Sequence, residues 1–288
     1  MHTLLNSLQP DFIYDHPCAM RLDHQTILLT GASSGIGIEL ARQLGHRGCR
    51  LILVARRSDQ LRQLAAELPG GMDRHRFSSC DLANPQAVTA LCAQLQDSGM
   101  TPDGLILNAG VSGGFAVTDM DPVRMRREFE INFWGAVQFI TAFLPRLLAQ
   151  QKGFIAVTSS LASYRGMPGA ATYSASKAAL NRFIESVRID CQGHGVYLAV
   201  ISPGFVRTPM TENSGYYKPF MIEAPSAARI ILNGLEQEKY EIRFPWPMVL
   251  LAQLGRLLPE RLYLRLMKNR RKPQITADRA LDKVENPQ

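Results

Sequence analysis

The chain has few of the residues that would build a metal site or a disulfide scaffold. Its five cysteines, Cys18, Cys49, Cys80, Cys92 and Cys191, are an odd number with no C-x-x-C spacing, so neither a zinc ribbon nor a complete disulfide framework is expected. The six histidines are scattered without an H-x-x-x-H pair, and no metal site is expected. No run approaches the ~20 apolar residues of a spanning helix. There is no internal repeat and no low-complexity segment. Residues 1–24 carry Pro10, Asp11, Asp15 and Pro17 and lack the basic start and continuous apolar core of a secretory signal. They are expected to form an arm on the domain or a disordered extension, and the reducing cytoplasm is the expected setting.

What the sequence does have, over 288 residues, is alternation. Apolar runs of strand length, Thr26-Ile27-Leu28-Leu29, Leu51-Ile52-Leu53-Val54, Gly104-Leu105-Ile106-Leu107, Phe154-Ile155-Ala156-Val157 and Val196–Ile201, are separated by helical patterns. Those patterns lie near 38–44, 58–67, 85–97, 122–150, 172–191 and 225–237, and Pro145 is expected to kink or divide the fourth. Such alternation predicts an α/β fold with a doubly wound parallel sheet covered on both faces, one domain over residues 25–244. The first strand ends in Thr30-Gly31-Ala32-Ser33-Ser34-Gly35-Ile36-Gly37. A strand passing through a tight glycine turn into a helix aims unpaired N–H groups and the positive end of the helix dipole at one spot, which suits a phosphate.

Farther along, Ser159-Ser160 end a strand, and Tyr173 precedes Lys177 by four residues. On a helix these two side chains share a face about one turn apart. A free phenol titrates near ~10, too high for proton exchange at neutral pH, and an ammonium nearby is expected to lower it. Tyr173 is therefore the candidate general acid/base and Lys177 its tuner. Ser160 is placed to hydrogen-bond the reacting oxygen as charge develops, with Ser159 its obvious rival.

These motifs together resemble the classical short-chain dehydrogenase/reductase family. The resemblance rests on Thr30-Gly31-x-x-x-Gly35-x-Gly37, Asn108-Ala109-Gly110, Asn132, Ser160, Tyr173-x-x-x-Lys177 and Pro203-Gly204, and covers roughly residues 25 to 240 in the expected order. It implies a Rossmann fold in which Gly31, Ser33, Ser34, Gly35, Ile36, Gly37, Asn108, Ala109, Gly110, Pro203, Gly204, Val206 and Thr208 line the dinucleotide, with Asp81 near the adenine. By the same resemblance Ser160 is preferred over Ser159, Lys177 also bonds the nicotinamide ribose, and Asn132 helps to hold a relay water through its backbone. A homo-oligomer, dimer or tetramer, is the family expectation.

After the second strand comes Ala55-Arg56-Arg57 rather than a carboxylate that would bind ribose hydroxyls. Arg56 offers a fork of donors and nothing repels a 2′-phosphate, so NADP(H) is expected over NAD(H). The segments expected to flank the substrate bring Tyr164, Met167, Met210, Tyr216, Tyr217, Phe220 and Met221. That mix suits a lipophilic ketone or secondary alcohol, and Arg165 is the one charge placed to reach it. An acyl-thioester (3-oxoacyl) reductase and a non-catalytic NADP(H)-binding regulator are the alternatives. Residues 245–288 are expected to form a helical, basic extension: seven basic residues and one acid fall between Arg256 and Lys272. Leu250, Leu251, Leu254, Leu257 and Leu258 mark one amphipathic face; Leu262, Tyr263, Leu266 and Met267 mark another. Packing on the domain or a second subunit is preferred over peripheral membrane contact; nucleic acid is not expected.

Overall fold

The computed structural model describes residues 20–212 and 217–268. Tyr216, Cys18 and the basic residues beyond Lys268 therefore lie outside the described residues. The chain opens with β1 (Thr26–Thr30), α1 (Ile36–His46), β2 (Arg50–Ala55), α2 (Ser58–Glu67), a short α3 (Gly71–Arg74) and β3 (Arg76–Ser79). Next come α4 (Pro85–Asp97), β4 (Gly104–Leu107), α5 (Pro122–Phe129), a π-turn over Glu130–Trp134 and α6 (Gly135–Gln150). The strand β5 (Gly153–Thr158) leads through a 3-10 turn, Leu161–Ser163, to α7 (Ala171–Asp190) and β6 (Val196–Pro203). The small β7 (Val206–Arg207), α8 (Pro209–Glu212) and β8 (Ile222–Glu223) precede α9 (Ala224–Glu236), β9 (Glu241–Phe244), α10 (Trp246–Leu257) and α11 (Glu260–Lys268).

The strands form a seven-stranded parallel sheet in the order β3-β2-β1-β4-β5-β6-β9. Alternation along each strand divides the core into two layers. Ile27 and Leu29 of β1 join Leu40 and Leu44 of α1 on one face, with Ile231 and Leu232 of α9. Leu28 faces the other way and joins Phe139 and Phe143 of α6 and Leu180 and Ile184 of α7. This is the predicted doubly wound α/β architecture. The order of strands reverses at β1, so a crevice opens between the carboxyl ends of β1 and β4, where such sheets bind their ligands.

Three local expectations change. Pro145 stays inside a continuous α6; it is exposed, so the carbonyl that loses its donor can turn to water. The break in the long helical pattern is instead the π-turn at Glu130–Trp134. Leu22, in the segment expected to form an arm, is fully buried in the core, and the sheet ends in a four-residue edge strand, β9, that no apolar run announces.

Strand spacing at the centre of the sheet depends on Gly104. A Cβ there would lie 1.9 Å from Cε1 of Phe154, a ring with no exposure, so the two strands pack through ring against bare backbone. Gly104→Ala should lower unfolding stability by about 1–3 kcal/mol through overpacking. Urea unfolding should show this as a reduced midpoint with an unchanged slope.

Candidate active site

The carboxyl ends of β1, β4 and β5 bring the two sets of motifs together. Glycine is required in the turn after β1. Gly31 has φ +69 and a Cβ there would meet the Ala109 backbone at 2.9 Å; at Gly37 a Cβ would lie 2.0 Å from the carbonyl oxygen of Gly31. Gly35, with φ 54, precedes α1 and supplies no side-chain cap, so the first N–H groups of an 11-residue helix point out of the turn without a side-chain acceptor. Thr30 Oγ1 accepts from the Ala109 backbone at 3.1 Å, and Thr158 Oγ1 donates to Asn108 Oδ1 at 3.2 Å. Strand ends β1, β4 and β5 are thereby tied into one edge. A concave, side-chain-free cradle at a helix N-terminus fits a dinucleotide pyrophosphate.

Around this cradle the remaining expected residues take definite places. Thr208 closes on Gly35, where a Cβ would come within 2.8 Å of its methyl group. Val206 pairs with Ile222 in the small β7–β8 ladder, and the Gly204 N–H donates to the Phe244 carbonyl at 2.7 Å, fixing the turn after Pro203. Ser33 is buried and Ser34 and Ile36 are half-buried. Asp81 accepts from Arg127 at 2.9 Å and from the Ala83 N–H at 3.1 Å, which holds its carboxylate at the end of β3. Arg56 is exposed. Its neighbour Arg57, given no role from the sequence, reaches the glycine turn: its guanidinium donates to Ser33 Oγ and to the Ser33 carbonyl, each at 3.1 Å.

Ser160, Tyr173 and Lys177 converge beside the cradle. The Ser160 hydroxyl acts on the Tyr173 phenol, favouring its ionised form, and accepts from the Ala162 N–H at 3.1 Å. Ser159 points the other way: it is buried and donates to the Lys177 main-chain carbonyl at 3.2 Å. The geometry therefore separates the two serines. Lys177, 2% exposed, donates from Nζ to the Thr158 carbonyl at 2.7 Å, with Nζ 5.9 Å from the centroid of the Tyr173 ring.

The electrostatics differ from the sequence expectation. Burial pushes the Tyr173 phenol above its ordinary value; the Ser160 hydrogen bond opposes this and the nearby Glu128 carboxylate adds to it. The Lys177 ammonium is turned onto the Thr158 carbonyl and is not among the groups that set the phenol's shift. Burial in turn pushes the Lys177 ammonium down to about 8, against the pull of Glu128. Tyr173 is thus a protonated acid at neutral pH, suited to giving a proton. Glu128, 4% exposed on α5, accepts from the Gly113 N–H at 3.4 Å and was missed because nothing in its surroundings in sequence marks it as buried.

Asn132 sits in the π-turn, a form of helix that recurs at functional sites. Its amide pairs with the Val111 backbone, accepting at 2.8 Å and donating at 2.9 Å, and also donates to Ser176 Oγ at 3.2 Å. Ser176 in turn donates to the Tyr173 carbonyl at 2.8 Å. Asn132 thus joins the loop after β4 to the helix that carries Tyr173 and Lys177.

Two residues expected at the substrate are occupied elsewhere. Tyr164 donates to Glu241. Arg165 donates to the carbonyls of Gly255 and Leu258 at 2.6 and 2.7 Å and its guanidinium carbon lies 4.0 Å from the Tyr263 ring centroid. It caps α10 rather than reaching a substrate. Met210, Tyr217 and Phe220 are exposed around α8.

Comparison with known proteins agrees with this fold. The short chain dehydrogenase family profile matches residues 25–217. An uncharacterized oxidoreductase of Myxococcus xanthus is 33% identical over 242 residues, 84% of this chain and 96% of that protein. Dehydrogenase/reductase SDR family member 7B of Bos taurus is 31% identical over 261 residues, 85% of this chain and 80% of that protein. The crystal structure of a metagenomic short-chain oxidoreductase in complex with NADP superposes with a TM-score of 0.67 at 28% identity, covering 77% of this chain and 97% of that one. The chain belongs to the short-chain dehydrogenase/reductase family, nicotinamide-dependent oxidoreductases that act on CH–OH donors.

Proposed function

We propose that the protein is an NADP(H)-dependent reductase that interconverts a lipophilic ketone and its secondary alcohol, with Tyr173 as the general acid/base. The observation that carries this reading is the Ser160–Tyr173 hydroxyl pair backed by buried Lys177. Such a pair gives a carbonyl oxygen two donors on one side. A pure nucleotide-binding regulator has no use for it.

When bound, the nicotinamide supplies the hydride that adds to the carbonyl carbon. The protein's part is binding and proton transfer. The glycine turn, Asn108, Ala109, Gly110 and Thr208 would hold the dinucleotide, and Lys177 would reach its ribose. Ser160 holds the carbonyl oxygen as negative charge develops on it, and the Tyr173 hydroxyl transfers its proton to that oxygen, leaving a phenolate. In the reverse direction the phenolate takes the alcohol proton back. The preference for NADP(H) is supported by the absence of a carboxylate at Ala55 and by the adjacent charges of Arg56 and Arg57; Arg57, already at Ser33, is the closer of the two to the cradle. A lipophilic substrate is supported by Met210, Tyr217 and Phe220 and by the commitment of Arg165 to α10.

Tyr173→Phe should reduce kcat by roughly 10²–10⁴-fold, the usual worth of a positioned acid/base, with NADPH affinity by fluorescence titration nearly unchanged. Turnover near the wild-type level on a true substrate defeats the assignment. Arg57→Ala should weaken NADPH roughly tenfold or more, the loss of a charge-assisted contact, and leave NADH affinity alone; equal weakening of both would mean that the arginine serves only the turn.

The pH dependence follows from the charges. Ketone reduction needs a protonated Tyr173 and is helped by a charged Lys177, so its kcat/KM should fall as pH rises through about 8, where the Lys177 ammonium loses its proton. Glu128 raises both groups. Glu128→Gln should therefore move the alkaline limb to lower pH, and an unmoved limb would show that the carboxylate does not act on the proton-transfer pair.

A further inference from the structure

The C-terminal hairpin is two-sided. Its inner side is fastened to the loop that leads from Ser160 towards Tyr173: Arg165 binds the Gly255 and Leu258 carbonyls, and the Tyr263 hydroxyl donates to the Gly166 carbonyl at 2.7 Å. Met248 lies against Gly204, where a Cβ would meet it at 3.2 Å. Its outer side has no partner among the described residues. No residue of α10 is buried, and Trp246 and Leu257 are 76% and 79% exposed. Leu250, Leu251 and Leu254 are also exposed, as are Leu262 and Leu266 on α11. Of the two predicted apolar faces, Tyr263 is buried and Leu258 and Met267 are half-buried, while the other leucines are exposed within the single chain.

We propose that α10 and α11 dock the protein on the surface of an anionic phospholipid bilayer, with the outer leucines and Trp246 in the acyl boundary and the cations at the headgroups. A contiguous apolar surface of this kind on a folded protein marks an interaction site. Charge decides the occupant. Arg261, Arg265 and Lys268 share α11 with the exposed Leu262 and Leu266, and seven basic residues accompany one acid between Arg256 and Lys272. A second copy meeting this face through a two-fold axis would bring the same cations against each other, whereas an anionic lipid surface complements them. Length decides the depth. The helices have 12 and 9 residues, and no helix among the described residues is long and apolar enough to cross a membrane, so the hairpin lies in the interface. The indole of Trp246, at the start of α10, belongs to the amphipathic headgroup level. This docking is independent of the cofactor and substrate readings above.

The test uses the full chain, with Trp134→Phe as the background so that Trp246 is the sole indole. Phosphatidylcholine vesicles with and without phosphatidylglycerol are the probes. The protein should sediment with the anionic vesicles only, lose binding as salt rises, and shift its Trp246 emission to the blue. Reversing Arg261, Arg265 and Lys268 to Glu should cut partitioning at least about a hundredfold, since each basic residue contributes about 1 kcal/mol near such a surface. Leu254→Asp with Leu257→Asp should abolish the blue shift while leaving Tm unchanged, because both side chains are exposed. Failure to sediment with anionic vesicles, or sedimentation that survives both sets of substitutions, overturns the proposal. So does a dimer by light scattering that the leucine variant alone dissociates, since the face then belongs to a second copy.

Discussion

The interaction on which the site depends is the hydrogen bond from Lys177 Nζ to the Thr158 carbonyl. An ammonium withdrawn from water is costly unless it is paired and hydrogen-bonded, and the sheet provides the acceptor where β5 has finished pairing with β4 but is still in register with β6. At Thr158 the pairing with β4 has ended while that with Ile201 of β6 persists; one residue earlier Val157 is paired on both sides, with Leu107 and Val200. Glu128 adds opposite charge from α5, and Asn132 closes the gap between the loop after β4 and α7. The helix is thereby held with Tyr173 beside Ser160.

Much of this could be read from the residues. The sheet was legible because β1, β2, β4, β5 and β6 are continuous apolar runs, the mark of strands buried on both faces. Ser160, Tyr173 and Lys177 were legible because a strand end and a four-residue helical interval are geometric statements in themselves. The choice between Ser159 and Ser160 needed the family pattern, and the structure supplies the physical ground: successive residues leave a strand on opposite sides, so one faces α7 and the other the phenol.

What could not be read depends on distance in sequence or on burial. Arg165 and its acceptors are some ninety positions apart, and a solitary arginine carries no sign of them. The reach of Arg57 to Ser33 is set by how the chain leaves β2, which favours the second arginine of the pair over the first. β9 alternates Glu241, Ile242, Arg243 and Phe244 in the period of an edge strand, with Ile242 and Phe244 buried; the signal was present but only four residues long. The π-turn has no composition of its own, and the buried state of Glu128 belongs to the packing of α5 rather than to its sequence.

Thr158 has a further consequence through its two ends. Its carbonyl holds the ammonium of Lys177, while its hydroxyl donates to Asn108, whose side chain stands against the glycine turn. One residue thus serves as the common datum for the nucleotide half and the proton half of the enzyme. A drift of β5 along the sheet would strain its bonds to Asn108 and to Lys177 at once, so the nucleotide half and the proton half would be disturbed together.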